Sequence, residues 1–574
     1  MSALFCLVPL AAQPDTTGLI VPSDPDASMN VIVRYRAGAD AASHARATSR
    51  AVRHNHELSI LNAEAVTVKA ADLAALASDP EVEAILPDHP IAATTFVPTA
   101  DFGWVTAFDL SSGLSALPTS YDGTGVGVAL IDSGLDQNPD LKGSGKPRNI
   151  IVYEESFVPG DSKTNDAYGH GTHVAGIIAG NGQSSTGKPF TYTIRGIAPN
   201  VSIVSLRVLD ANGAGTDSAV IAAIQRAIQL KSTYNIRVIN LSIGRPVTMS
   251  YLRDPLCQAV EAAWGAGIVV VVAAGNMGRD RAAGTNGYGT ITVPGNDPYV
   301  ITVGAMNTSG TPSRGDDKIT SYSSKGPTLL DHVVKPDIVA PGNRIMSLLE
   351  NHATLDVAHS ENSVPLMFYM SNNGAADSPH YYQLSGTSMA APMVSGAAAL
   401  MIQKDPTLTP DTVKARLMKT AQKLLPIITS ATDPTTGITY LDENDIFTVG
   451  AGYLDIPAAL ANNDVATAPA LSPSAVADGS GLLRLVLPDN VLWGSNVLWG
   501  SNVLWGSNVN VLWGTNVIWG ANVIWGTNVL WGTSGIMGQN VLWGTNVLWG
   551  TNVLWGTSTG VTADSLNISL NGER

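Results

Sequence analysis

Cysteine is nearly absent from this chain: 574 residues contain two, Cys6 and Cys257. A disulfide framework is excluded, and loss of the N-terminal segment would leave a single thiol, so cysteine usage does not reveal a compartment. Charge is sparse as well. Charged residues make up 14% of the chain, and 32 Lys+Arg against 47 Asp+Glu leave a net charge of −15. No Lys/Arg-rich run offsets that balance, which excludes general binding to nucleic acid or to an acidic membrane surface. The apolar run Ala3 to Ala12 is too short to cross a bilayer as a helix, so no transmembrane helix is expected. It has the length of a signal-peptide core, although no positive residues precede it, and residues 1–14 are a candidate signal segment. Hydrophobic residues, at 45%, are ample for a large core, and the length implies several structural units.

What is present is organised in blocks. Residues 29–95 read as strand Val31–Tyr35, helix Asp40–Arg53, strand-like residues Leu58–Val68, helix Ala70–Leu76 and strand Val82–Leu86. That order predicts a small ferredoxin-like α+β unit. Over residues 98–462, apolar runs alternate with helical spacing. The runs are Val126–Ile131, Ile203–Val208, Val238–Leu241, Ile268–Ala273 and Val300–Val303; the helical segments are Thr216–Leu230 and Pro255–Trp264. Such runs suit strands buried on both faces, so this block predicts a doubly wound parallel α/β domain with its site at the carboxyl ends of the strands.

Residues 463–489 begin rich in Ala, Pro, Ser and Asp and read as a linker. Residues 490–557 then repeat Asn-Val-Leu/Ile-Trp-Gly-Ser/Thr, and a polar tail, 558–574, follows. Ten of the 12 tryptophans lie in the repeat, each in the fourth slot. As strands, the copies would place Val and Trp on one face, with Gly-Ser/Thr-Asn as turns. A β-solenoid is one reading, and an aggregation-prone low-complexity tail is the other.

Three segments carry chemistry: Val128-Ala-Leu-Ile-Asp-Ser-Gly134, His170-Gly-Thr-His-Val-Ala-Gly176 and Gly386-Thr-Ser-Met-Ala-Ala-Pro392. Asp132 ends an apolar strand, His170 opens a stretch of small residues, and Ser388 precedes the apolar helical stretch Met389–Met401. Singly, each has an ordinary explanation: a turn Asp, a His pair at i, i+3 with His173, an N-cap Ser. The metal reading of the two histidines lacks an accompanying Glu and a third ligand. Together, in the order Asp, His, Ser, the segments resemble the subtilases, the subtilisin-like serine proteases, and subtilisin itself displays that order.

The resemblance implies a serine endopeptidase with Ser388 as nucleophile, His170 as general base, Asp132 orienting the imidazole and Asn276 as oxyanion donor. It implies that Ser242, Ile243 and Gly244 pair with the substrate backbone, and that Pro294 follows a cis peptide bond. It casts the first unit as an inhibitory propeptide removed by self-processing, with protein or peptide substrates and a secreted or cell-surface location. The repeat array would then serve attachment to a surface or polymer. No cofactor is required for the chemistry. Structural calcium stays open: residues 181–193 lack the family's Asn-rich calcium loop, Asp140 keeps one candidate oxygen, and one ligand does not make a site. The stretch between Pro341-Gly342 and Ser385, containing Asn351–His380, is longer than in compact subtilisins.

Overall fold

A computed structural model describes residues 14–93, 121–142, 149–281, 284–311, 313–371, 376–423, 428–433 and 437–477, with the backbone of a few short strands elsewhere. The candidate signal segment, the polar tail and most of the repeat array lie outside the described residues.

The first unit forms an antiparallel sheet in the order Arg53–Leu58, Ala63–Lys69, Ser28–Tyr35, Val82–Pro87. Its helices are Ala41–Ala47 and Leu73–Ala77. This is the ferredoxin-like topology, with one correction. The first helix, expected to reach Arg53, ends at Ala47, and Arg53 opens a strand, Arg53–Leu58, of which only Leu58 was expected as strand. That strand reads Arg-His-Asn-His-Glu-Leu and lies at the edge of the sheet with only Leu58 fully buried, so it carries no apolar alternation. The unit also begins earlier than residue 29, because Asp15 exchanges backbone hydrogen bonds with Glu83 and Ile85.

The central sheet runs Lys318–Ile319, Ile301–Asn307, Val269–Ala273, Ile236–Leu241, Gly127–Asp132, Ser202–Arg207, Ile151–Ser156, all parallel except the antiparallel edge strand Lys318–Ile319. Ile338–Pro341 lies parallel beside Ile301–Asn307. Val269–Ala273 is buried at every position, as its unbroken apolar run requires. Two groups of helices pack on these strands. Asp217–Tyr234 and Pro255–Gly265 contact each other, as do His170–Ala179 and Thr387–Lys404. Both groups touch Ile236–Leu241 and Val269–Ala273, so they cover opposite faces, and the doubly wound reading holds. The strand order reverses at Gly127–Asp132, whose carboxyl end is Asp132. Such a crevice is where open α/β sheets build sites.

Residues 90–93 leave the first unit and form the middle strand of a separate sheet, antiparallel to both Ala214–Thr216 and Ile243–Gly244. Asp88 anchors them: its carboxylate accepts from Ser218 N (2.9 Å) and Ser218 Oγ (2.7 Å) at the start of the Asp217–Tyr234 helix.

The first half of the expected linker is seated on the α/β domain. Ser472 N–H donates to the Pro298 carbonyl, Val334 N–H to Pro473, and Ala475 N–H to His332. Ser472 Oγ lies 2.5 Å from Asp337 Oδ1 and 2.9 Å from Lys414 Nζ, within a buried cluster where Lys335 holds the other Asp337 oxygen at 2.7 Å. In the array, two strand pairs are described, Val497–Trp499 with Val503–Trp505 and Val529–Leu530 with Ile536–Met537. Both are antiparallel.

The seating of Ser472 has a measurable consequence. A chain ending at residue 462 strips a partner from a buried Lys–Asp cluster, at about 1–3 kcal/mol, whereas one ending at residue 477 retains it. The shorter chain is expected to melt several degrees lower in calorimetry. Equal Tm values would contradict a structural role for this segment.

Candidate active site

Asp132 and His170 come from different elements held in backbone contact. Asp132 ends its strand, and His170 is the first residue of the helix His170–Ala179. Both are buried, and His170 Nδ1 lies 2.6 Å from Asp132 Oδ1. A carboxylate only accepts, so Nδ1 carries a proton, and in the neutral imidazole Nε2 presents its lone pair. Nε2 makes no hydrogen bond among the described residues.

Asp166 organises this joint. Its carboxylate accepts from Ser133 Oγ, Gly169 N and Thr172 N, each at 2.7 Å, while Ser133 Oγ accepts from Gly171 N at 2.8 Å. Burial pushes the Asp166 carboxyl up even against these donors. Sequence reasoning missed Asp166. It lies four residues ahead of His170, outside the N-cap position, which Gly169 occupies.

Ser388 is the second residue of the helix Thr387–Lys404, which is buried from Thr387 to Ile402. Its Oγ donates to the Ser242 carbonyl at 2.9 Å, and Ser242 Oγ donates back to the Ser388 carbonyl at 2.9 Å. Pro392 explains the return bond. It sits in the second helical turn, lacks an N–H, and so cannot bond the carbonyl four residues earlier, which is that of Ser388. The Ser242 hydroxyl fills the position.

Asn276 follows Gly275 in the loop after Val269–Ala273. Its Oδ1 accepts from Thr387 N (2.9 Å) and Thr387 Oγ1 (3.0 Å), and Thr387 Oγ1 accepts from Gly275 N (3.1 Å). An amide N–H can only donate, so these contacts fix which end of the Asn276 amide is oxygen. Thr387, not singled out from the sequence, ties the Asn276 loop to the Ser388 helix. Ile243 and Gly244 pair with Ala93 and Ala92. The opposite wall, Ala214–Thr216, was also missed, although its glycine-rich approach Asn212-Gly-Ala-Gly215 lies directly beyond a strand and before a helix. The Val293–Pro294 peptide is cis.

Residues 123–450 match the sequence model of the subtilase family (peptidase S8). The chain belongs to the subtilase family. It is 38% identical over 307 residues to the serine protease AprX of Bacillus subtilis, covering 52% of this chain and 62% of that one. It is 36% identical over 305 residues to subtilisin DY of Bacillus licheniformis, covering 53% and 86%. Among solved structures it resembles fervidolysin from Fervidobacterium pennivorans, described as a keratinolytic enzyme related to subtilisin. The TM-score is 0.54 at 23% identity, over 79% of this chain and 65% of that one, which bears on the fold alone. In this subtilase, a serine peptidase by family, the Asp132–His170 pair fits a catalytic triad.

His173 takes no part in a metal pair with His170. Its Nε2 lies 3.1 Å from the Ile345 carbonyl and 3.2 Å from the Tyr382 carbonyl, so it carries a proton. No cluster of metal-ligating side chains occurs among the described residues. Both Asp140 carboxylate oxygens are engaged by protein donors.

Burial, reinforced by the neighbouring His170, holds the His173 imidazole down at about 3. In the unfolded chain it would take a proton near pH 6.5. Between these values the unfolded state binds the extra proton, so the contribution of His173 is complete above about pH 6.5 and is lost as pH falls toward 3. The slope is up to about 1.4 kcal/mol per pH unit. Urea denaturation of His173→Gln at several pH values is expected to show a shallower acid dependence; an unchanged slope would contradict this.

Proposed function

We propose that this subtilase is a secreted serine endopeptidase, made as a precursor that cuts itself. The observation carrying this reading is the strand Pro90–Ala93, an extended peptide paired on both edges as a substrate would be. Pairing through main-chain bonds recognises a peptide rather than a particular sequence.

In the proposed reaction Ser388 Oγ leaves the Ser242 carbonyl, gives its proton to His170 Nε2 and attacks the scissile carbonyl. Asp132 stabilises the imidazolium that forms. Asn276 donates to the developing oxyanion, and the helix beginning at Thr387 adds the positive end of its dipole. His170 then protonates the leaving amine, and water repeats the sequence to release the acyl group. The chemistry uses no cofactor.

The first unit acts as the inhibitory propeptide in this reading. Its support is the ferredoxin-like topology, the Asp88 anchor, and Gln225 Oε1 accepting from Ser59 Oγ and Ile60 N at 3.1 Å each. The register suggests where it is cut. Ala92 faces Gly244 and Ala93 faces Ile243. Ser242, next to Ile243, holds the Ser388 hydroxyl through its carbonyl, so the proposed cut lies beyond Ala93 and before Trp104. Surface or polymer attachment through the repeat array is proposed on its Trp-rich composition, and the antiparallel pairs favour consecutive copies folding as hairpins.

Ser388→Ala is expected to abolish peptide hydrolysis and to leave the purified full-length chain uncut, whereas the wild-type mature chain begins between Ala93 and Trp104 in N-terminal sequencing. Normal processing of pure Ser388→Ala protein would sink self-maturation. Asn276→Leu is expected to lower kcat by about 10²–10³ with KM little changed, the size of loss known for this type of donor in subtilisin. A change confined to KM would contradict the oxyanion role.

A further inference from the structure

Two departures from the compact family, the segment 181–193 after the His170 helix and the long stretch between Gly342 and Ser385, meet in space. Strand Asp377–Leu384 pairs with Ile345–Leu348 and sets Tyr381 opposite Leu348. From there Tyr381 Oη reaches Asp140 Oδ2 at 2.5 Å and lies 2.8 Å from Ser185 Oγ. The other Asp140 oxygen accepts from Ser184 N at 2.7 Å, and the Asp140 carbonyl accepts from Asn181 N at 2.9 Å. Ser185 Oγ also accepts from Ile194 N at 2.8 Å. Asp140, Ser185 and Tyr381 are fully buried.

The same segments interlock a second time. Tyr369 stands edge-on to Tyr381 with centroids 5.2 Å apart and stacks on Phe190 at 5.9 Å. Thr191 N–H donates to the Tyr369 carbonyl, and Ser371 N–H to Pro189.

Calcium would need six to eight oxygens whose lone pairs face one point. At Asp140 each carboxylate oxygen instead faces a proton, from an O–H and an N–H, and the Asp140 carbonyl faces a third, from Asn181 N, so these oxygens are turned toward protein donors rather than toward one common point. The residues present therefore do not fit calcium at this carboxylate. We infer that the Tyr381 hydroxyl, delivered by the long segment before the nucleophile, takes the place of a cation at Asp140 and braces the end of the His170 helix without metal. Burial and the adjacent Asp140 push the Tyr381 phenol well above its usual range, so it remains a donor at any working pH.

The test is the melting temperature of the full chain carrying Ser388→Ala, which prevents autolysis, in excess EDTA and in millimolar calcium. Asp140→Asn, nearly isosteric, is expected to show the same calcium-induced shift as its parent, whatever the size of that shift. Tyr381→Phe is expected to melt roughly 2–8 °C lower in EDTA, because it leaves a buried carboxylate oxygen without its donor. A calcium-induced shift larger in the parent than in Asp140→Asn would overturn the inference, as would Tyr381→Phe melting with its parent. If Tyr381→Phe does not fold, the Asp140→Asn comparison decides alone.

Discussion

The site depends on one backbone contact between two glycines. A Cβ built on Gly171 would lie 2.2 Å from the Gly134 carbonyl oxygen, and one built on Gly134 would lie 2.5 Å from the Thr164 oxygen. Gly134 also has φ of +108°, a conformation that side chains other than glycine's rarely adopt. The turn leaving the central strand and the first turn of the helix therefore touch with nothing between them. Asp132 lies two residues before one glycine and His170 one residue before the other. Their 2.6 Å bond follows from that contact, and Ser133 and Asp166 pin it from the side.

A second joint positions the remaining groups by the same economy of distance. The Ser388 helix is tied to the Asn276 loop through Thr387 and to the segment Ser242–Gly244, the proposed substrate-pairing strand, through the reciprocal Ser242–Ser388 bonds. Pro392, unfavourable inside a helix, leaves a carbonyl for Ser242 to satisfy. Ser388, Asn276 and Ser242, the proposed nucleophile, oxyanion donor and substrate-pairing residue, are thus fixed to one another by hydrogen bonds in a buried region, the preorganisation that the proposed electrostatic catalysis requires.

The sequence made the central sheet legible because its strands are buried on both faces and their apolar runs are unbroken. The Asp132–His170 pairing was legible because both residues sit in motifs at the end of an element, and the proposed roles of Asn276 and Ser388 rest on motifs of the same kind. The strand Arg53–Leu58 was not recognised ahead of Leu58 because an edge strand carries polar residues with no alternation. Asp166 and Thr387 were missed because they act on backbone N–H groups, partners that no sequence pattern displays. Tyr381 was out of reach for a different reason. It lies 241 residues from Asp140, and only the pairing of its strand with Ile345–Leu348 brings the two together.

The central claim is that Ser388 is the nucleophile activated by the buried His170–Asp132 pair. Labelling the folded protein with a fluorophosphonate after its first unit has been removed, then mapping the peptides by mass spectrometry, tests it most directly. The account predicts one adduct, on Ser388, and its loss in folded His170→Ala protein. An adduct on another serine, or undiminished labelling of Ser388 without His170, would contradict it.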